Sequence, residues 1–310
     1  CSTPSPARLH RAEKSPCMTW RCKMPKPLLS AFADEYSNAL TEQLEGLNRF
    51  GIRYLELRHA DGKNVADMTV QDVENVQRSL RDHGIAVSAI GSPLGKISLD
   101  GDLPAHMELA KRVCETAARL DARSVRMFSF YLPAGSTRED CKAKVTDALG
   151  RMLDIADSYG VTLCHENEAR IWGESPAQCK ELLDQFGGRL RAVFDMGNFV
   201  LGGYEPYAAY KLLCDHISYF HIKDALARGA IVPAGMGEAR IKEMLSDFKI
   251  LAKTDYFVSL EPHLENLAGL NALTDVAFDN PYKYEDLKAA FTDAVAKLSQ
   301  ILEEIGNESR

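Results

Sequence analysis

Four short apolar segments in the second half of the sequence each end in a side chain that can bind a metal ion. These residues are Glu166, Asp195, His221 and Glu261. A carboxylate at the end of a buried strand is costly to desolvate unless it is paired or bound to a metal. Three carboxylates and one imidazole suit Mn²⁺, Mg²⁺, Co²⁺ or Zn²⁺, and the lack of thiolates at these positions argues against a structural zinc site. We therefore predict that the four residues surround one divalent cation and that this cation marks the active site.

The elements that would position these residues alternate regularly along the chain. Eight predicted strands span 28–32, 52–58, 85–91, 123–129, 161–166, 190–195, 216–222 and 255–260. Between them, apolar residues recur three and four positions apart, most clearly from Leu287 to Leu302, and Gly51, Gly84 and Gly160 fall where helices should end. Eight strand–helix units predict an α/β fold of the (β/α)8 TIM barrel type. A doubly wound open sheet is the competing fold, but no glycine-rich phosphate turn follows the first strand.

A barrel would bring the four candidate ligands together. The C-terminal ends of its strands converge on one face, so the ends of strands five to eight would meet there. Each residue alone has another explanation, since Asp195 suits a cap of the turn Met196-Gly197-Asn198 and Glu261 suits an ion pair with a lysine. Four such residues at four consecutive strand ends favour the metal site.

The first 27 residues differ from the rest of the chain. They carry six Lys and Arg residues against one Glu, contain five prolines and show no apolar periodicity. This composition predicts a disordered extension at 1–27, followed by a single catalytic domain at 28–310. The basic character resembles a transit peptide, whereas an extension upstream of a natural start at Met18 or Met24 is the simpler interpretation.

The overall composition excludes several classes of protein. With 45% hydrophobic and 26% charged residues, the chain has the composition of a soluble globular protein, and no apolar run approaches the ~18 residues that span a membrane. A net charge of −7 and a pI near 5.7 argue against nucleic acid as a partner. The eight cysteines form no C-x-x-C pair, which predicts free thiols and a reducing, cytoplasmic location.

Seven further polar residues lie in or just beyond predicted strands and are candidates for substrate contacts. They are Glu56, Lys96, Arg126, Asn167, Asn198, Lys223 and His263. In a barrel, polar groups at this height face the substrate. The alternative for two of them is a structural ion pair of Glu56 with Arg58 or Arg126. His165 points to the opposite side of its strand from Glu166, which predicts a core histidine.

Three later features carry weaker signals. Asp224 follows Lys223 and suits a residue that orients a neighbour. The glycines of Gly235-Met236-Gly237 predict backbone amides that face substrate oxygens. The apolar segment 264–282 suggests a lid or a subunit contact.

Four short motifs together resemble a known family. The motifs are His165-Glu166-Asn167-Glu168, Phe194-Asp195-Met196-Gly197-Asn198-Phe199, His221-Ile222-Lys223-Asp224 and Ser259-Leu260-Glu261-Pro262-His263. Their order and spacing are similar to those of the xylose isomerase-like barrel superfamily, in particular its sugar phosphate isomerase/epimerase branch. The resemblance implies that the four candidate ligands bind one divalent metal and that Glu166 and Glu261 also form the acid–base pair. It further implies a homo-oligomer, a dimer or tetramer, that acts on a small sugar or polyol.

The predicted function is that of a metal-dependent isomerase or epimerase of a sugar, a sugar phosphate or a related keto-polyol. One glutamate would remove a proton beside a polarised carbonyl, and the other would return it, through a metal-stabilised enediolate. A metal-dependent dehydratase of an inosose or a dehydroshikimate-type acid is the alternative, since it begins with the same proton abstraction. An apurinic-site endonuclease is less favoured because the chain is acidic and offers few histidines.

One position departs from the ketose epimerases of this superfamily. They often have a histidine three residues after the aspartate of strand six, where this chain has Asn198. Asparagine can still hydrogen-bond a hydroxyl group, so the change leaves the particular ketose open.

Overall fold

The computed structural model describes residues 25–264 and 281–307. Residues 1–24, which form most of the predicted extension, lie outside the described residues, as do residues 265–280 of the segment predicted to be a lid or a subunit contact. Both predictions therefore stay predictions. The first strand begins at Pro27, one residue before its predicted start.

Eight parallel strands close into a barrel. In chain order they are β1 (Pro27–Ala31), β2 (Tyr54–Leu57), β3 (Ala86–Gly91), β4 (Ser124–Met127), β5 (Thr162–Glu166), β6 (Leu190–Asp195), β7 (Ile217–Ile222) and β8 (Tyr256–Leu260). Each strand pairs with the next, and β8 pairs with β1 from Pro27–Tyr256 to Ala31–Leu260. The predicted TIM barrel is confirmed, and every strand lies within two residues of its predicted bounds.

Helices surround the barrel. They are α1 (Leu40–Arg49), α2 (Val70–His83), α3 (Leu103–Arg119), α4 (Arg138–Tyr159), α5 (Pro176–Phe186), α6 (Met196–Leu201), α7 (Pro206–Leu213), α8 (Ile241–Leu251) and α9 (Leu287–Asn307). Thr69 and Thr137 start α2 and α4 with capping boxes, and Gly84 and Gly160 end these helices with φ of 65° and 69°. Glycine adopts this left-handed conformation without strain, which explains why the two predicted helix ends are correct.

Strand β7 shows how the barrel separates its interior from its outer core. Phe220 packs outward against Phe248 of α8, with ring centroids 4.9 Å apart. Tyr219 and His221 point the other way, and both reach Glu56 across the barrel. Because side chains alternate between the two faces of a strand, every second residue of β7 enters the barrel. This alternation places the side chain of His221 inside the barrel.

Two predictions from composition have outcomes in the described part of the chain. No helix there is long and apolar enough to cross a membrane. The cysteines there are free, as predicted, namely Cys114, Cys141, Cys164, Cys179 and Cys214. Burial raises the pKa of the Cys164 thiol to about 12, so this thiol stays protonated at neutral pH.

Candidate metal centre

The four candidate ligands lie together at the C-terminal end of the barrel. Each contributes one ligand atom, and these atoms all lie within 4.8 Å of one another. Glu166 and Asp195 end β5 and β6, His221 is the penultimate residue of β7, and Glu261 follows β8. All four side chains are buried. The prediction that they meet is confirmed, and their coordination of a metal remains a prediction.

The two glutamates occupy nearly equivalent positions around His221. Glu166 Oε1 lies 2.9 Å from His221 Nδ1, and Glu261 Oε2 lies 3.2 Å from the same nitrogen. The second oxygen of each glutamate faces an arginine. Arg126 Nη1 is 3.0 Å from Glu166 Oε2, and Arg58 Nη1 is 2.9 Å from Glu261 Oε1. Each glutamate thus directs one oxygen to a shared centre while a guanidinium group holds the other.

Positive charges keep both glutamates ionised despite their burial. Burial alone would raise the pKa of Glu166, but His221 and Arg126 outweigh it and lower the pKa to about 2. Burial also opposes ionisation of Glu261, yet nearby cations, first of all Lys223, hold its pKa well below the ordinary value. Metal binding and general-base catalysis both require the ionised form.

Asp195 uses its two carboxylate oxygens differently. Its Oδ1 accepts a hydrogen bond from the backbone amide of Asn198 at 2.7 Å and so caps α6. Its Oδ2 faces Lys223 Nζ at 2.8 Å. Burial raises the pKa of Asp195 to about 6, and Lys223 opposes that shift. The cap and metal-ligand explanations are compatible, because one carboxylate oxygen of Asp195 still lies within 4.8 Å of the ligand atoms of the other three residues.

Two asparagines hold Asp195 and Lys223 in place. The side chain of Asn167 donates to the Asp195 carbonyl at 2.9 Å and accepts from its backbone amide at 3.0 Å. Asn198 donates to the Asn167 carbonyl at 2.9 Å and accepts from Lys223 Nζ at 3.1 Å. Both asparagines therefore have a positioning role, and their predicted contact with substrate stays a prediction.

The chemistry of the cluster fits one divalent ion. Glu261 Oε2 is buried, and its contacts are to cationic groups, His221 Nδ1 at 3.2 Å and Lys223 Nζ at 3.4 Å. The carboxylates of Glu56, Glu166 and Glu261 raise the pKa of His221 well above its ordinary value, against the effect of burial. The centre therefore favours a positive charge at this point. Three carboxylates with an imidazole form a donor set that Mn²⁺, Mg²⁺, Co²⁺ or Zn²⁺ can use.

Lys96 and His263 lie at the mouth of the barrel beside acidic residues. Lys96 Nζ is 3.1 Å from Glu168 Oε2. His263 Nδ1 is 2.9 Å from Glu35 Oε1, and its Nε2 is 3.8 Å from Glu261 Oε1. The two side chains are 26% and 18% exposed, and their predicted contact with substrate stays a prediction.

Asp34 and Glu35, two acidic residues after β1, were missed by the sequence prediction. Arg58 donates to the two oxygens of Asp34 at 2.7 and 3.1 Å and lies 3.2 Å from Glu35 Oε1. The alternative pairing of Glu56 with Arg58 or Arg126 is not formed, since both arginines pair with other carboxylates. The only sequence signal for the two acids was their place just after a strand, which many surface residues share.

Two other sequence predictions have clear outcomes. The backbone amides of Gly235 and Gly237 both donate to Asp224 Oδ2, at 2.8 and 3.0 Å. The prediction that they face substrate oxygens is therefore wrong, because a carboxylate of the protein already accepts their hydrogen bonds. His165 is buried and lies 3.0 Å from Ser129 Oγ, which confirms its prediction as a core histidine.

Gly197 gives Lys223 the space to reach Asp195. A Cβ added at Gly197 would lie 2.7 Å from Lys223 Cγ and 2.9 Å from its carbonyl oxygen. We expect Gly197→Ala to displace the lysine and to lower the free energy of unfolding by about 1–3 kcal/mol, as overpacking does. Urea unfolding measures this loss. Gly150→Ala is the matched control, because its nearest neighbour would be 3.9 Å away, and an equal loss in both variants would contradict the steric explanation.

One family model matches the sequence across this barrel. It is described as the xylose isomerase-like TIM barrel, and the match runs over residues 44–291. The chain belongs to the xylose isomerase-like TIM barrel family. The matched region includes all four clustered residues, and no curated protein sequence matches the chain.

Solved structures share the fold of this family member at low sequence identity. An L-ribulose 3-epimerase is 19% identical, with a TM-score of 0.70 over 92% of this chain and 97% of that one. The probable 3-DHS dehydratase AsbF from Bacillus anthracis is 18% identical, with a TM-score of 0.65 over 80% and 98% of the two chains. The IOLI protein, solved with a bound zinc atom, is 18% identical, with a TM-score of 0.69 over 89% and 98%. At these identities the structural similarity establishes the fold only. The reaction has to be inferred from the residues of the site.

Proposed function

We propose that this protein is a divalent-metal-dependent isomerase or epimerase of a sugar or a related keto-polyol. The observation that carries the proposal is the paired construction of Glu166 and Glu261. Each glutamate has one oxygen within 3.2 Å of His221 Nδ1 and the other beside an arginine. An enzyme that removes a proton and returns it elsewhere uses two positioned acid–base groups, and these carboxylates supply them.

The two glutamates would move the proton between carbon atoms. A divalent cation held by the four clustered residues would polarise the substrate carbonyl and acidify the adjacent C–H group. Glu261 would take the proton from carbon and become protonated, and Glu166, after taking up a proton from water or a substrate hydroxyl group, would give that proton to carbon, with the roles exchanged in the reverse reaction. Return to the neighbouring carbon gives an isomer, whereas return to the opposite face of the same carbon gives an epimer. Arg58 and Arg126 would keep both carboxylates in place throughout.

The charges around the centre favour a substrate without a phosphate or carboxylate group. Every cation named at this centre has a carboxylate oxygen within 3.1 Å, namely Arg58, Arg126, Lys96 and Lys223. An anionic substrate would have to displace one of these partners and leave a carboxylate unpaired in a poorly solvated site. A neutral keto-polyol requires no such exchange. Its hydroxyl groups would hydrogen-bond Lys96, Asn198 and His263.

Dehydration of a keto-polyol is the alternative, and the position of Lys223 supports it. Its ammonium group lies 2.8 Å from Asp195 Oδ2 and 3.4 Å from Glu261 Oε2. A general acid beside the proposed base could protonate a leaving hydroxyl group, so that water is lost after proton abstraction. An apurinic-site endonuclease has less support. The two clusters of possible metal ligands among the described residues contain one histidine each.

Deuterium exchange separates these reactions. We expect the enzyme, loaded with Mn²⁺, Mg²⁺ or Co²⁺, to incorporate deuterium from D₂O into a neutral ketose or inosose and to form its isomer, both followed by NMR. The chelated enzyme is the control and should catalyse no exchange. Ketose phosphates and dehydroshikimate-type acids complete the panel, and formation of an ultraviolet-absorbing enone would favour the dehydratase. The proposal is wrong if no compound exchanges deuterium with any of the three metals.

A further inference from the structure

A glutamate of β2 lies behind the histidine of the metal centre. Glu56 Oε1 is 3.1 Å from His221 Nε2, and both side chains are fully buried. Tyr219 donates its hydroxyl to the same oxygen at 3.0 Å. The other imidazole nitrogen, Nδ1, faces Glu166 and Glu261. The ring therefore has carboxylates at both nitrogens, and one of these carboxylates lies outside the four-residue cluster.

The surroundings of Glu56 do not suit a direct contact with substrate. Its side chain has no exposed surface, and its contact to the centre passes through the imidazole ring of His221. Phe32 packs edge-on against that ring, with the centroids 5.1 Å apart, and restricts its movement. A substrate could reach Glu56 only after His221 had moved. These contacts favour a role for Glu56 other than the substrate contact predicted from the sequence.

We propose that Glu56 is a positioning residue that fixes the tautomer and orientation of His221 for metal binding. When Nδ1 of His221 binds a metal ion, the imidazole keeps a single proton, and this proton lies on Nε2. A proton on Nε2 is donated to Glu56 Oε1, and the lone pair on Nδ1 is then directed at the cluster. The inference rests on the metal centre of the proposed function and is independent of the substrate.

Tyr219 supports this arrangement by fixing the carboxylate of Glu56. The remaining oxygen, Glu56 Oε2, is buried and has no hydrogen-bond partner among the described residues. The two bonds to Oε1 therefore determine how the carboxylate is turned. A purely structural role for Glu56 would make a different prediction. Loss of its charge would then change the stability of the fold and leave the affinity for metal unchanged.

Metal binding by Glu56→Gln tests the proposal. Glutamine keeps the size of the side chain and one acceptor oxygen but removes the negative charge. We expect the dissociation constant for Mn²⁺, measured by calorimetric titration, to rise by about 10–100-fold, as is usual for residues that support a metal-bound histidine. The visible spectrum of the Co²⁺-loaded protein should shift as well. Tyr219→Phe should raise the dissociation constant in the same direction but by less.

Ser30→Ala is the matched control. Ser30 and Ser88 form another buried pair inside the barrel, with Oγ atoms 2.6 Å apart. We expect this variant to lose stability in EDTA without a change in the dissociation constant for Mn²⁺. If folded Glu56→Gln binds Mn²⁺ as tightly as wild type, the proposal is overturned, and if it does not fold, Tyr219→Phe decides by the same criterion. Failure of the wild type to bind any divalent metal would overturn the metal centre and this inference together, whereas lack of turnover would affect only the proposed reaction.

Discussion

Glu261→Gln is expected to abolish proton abstraction while the barrel stays folded. Glutamine preserves the shape of the side chain but cannot accept a proton. We expect deuterium exchange into the substrate at saturating Mn²⁺ to fall by about 10²–10⁴-fold, the usual contribution of a positioned acid or base. The mutation also removes the charge that Arg58 faces at 2.9 Å, so the free energy of unfolding is measured alongside.

The control for this variant is Glu115→Gln on α3. Glu115 pairs with Arg119 on the exposed surface of the helix, and its replacement should leave exchange unchanged. Because Glu261 is also a predicted ligand, the bound metal is quantified in each sample. Undiminished exchange by metal-loaded Glu261→Gln would rule out Glu261 as the base. Exchange that is lost only in proportion to lost metal would assign Glu261 to ligation alone.

The barrel was predictable because its signals are local and repeated. Each strand–helix unit carries its own apolar period, and glycines such as Gly84 and Gly160 end helices in a conformation that other residues adopt with strain. The closed topology follows from the number of units. Once the strands are assigned, the sequence also predicts that the four candidate ligands lie close together, because the C-terminal ends of parallel strands converge in a barrel. These ligands are Glu166, Asp195, His221 and Glu261.

The contact partners of individual side chains were not predictable from the sequence. The alternation of side chains along a strand indicates which face of the sheet a residue occupies, but not which residues it contacts there. Glu56 and Arg58 are two positions apart along β2 and its end. One reaches His221 deep in the barrel, and the other reaches Asp34 and Glu261 nearer the mouth. These contacts join strands that are far apart in sequence. They depend on the height of each side chain along the barrel axis, which the sequence pattern does not encode.

The hydrogen bonds of loop residues could not be predicted from the sequence for the same reason. Gly235 and Gly237 lie in a glycine-containing turn of the kind that often binds substrate, yet Asp224 accepts their hydrogen bonds from the other end of the loop. The carboxylate of Asp224 also accepts from the amide of Ala239 at 3.0 Å. A single buried carboxylate thus fixes a loop whose residues are separated from it by more than ten positions.

Arg126→Met is expected to lower the free energy of unfolding by about 3–5 kcal/mol, because it leaves a buried charge without its partner. Arg126 is 6% exposed. It donates to Glu166 Oε2 at 3.0 Å and to the carbonyl oxygens of Gly91 and Ser92 at 3.0 and 3.3 Å. Methionine fills much of the same volume but provides no positive charge. Urea unfolding in the presence of EDTA measures the loss without a contribution from bound metal.

Two further variants separate the ion pair from other effects of this substitution. Arg119→Met makes the same change in an exposed pair with Glu115, and it should lower the unfolding free energy by only about 0–1 kcal/mol. The double variant Arg126→Met/Glu166→Gln removes both buried charges and should recover much of the loss, because the unpaired carboxylate is then absent. If Arg126 serves only to bind substrate, its replacement will raise KM and destabilise the protein no more than Arg119→Met does. A large loss that the double variant relieves would instead assign Arg126 to the positioning of Glu166.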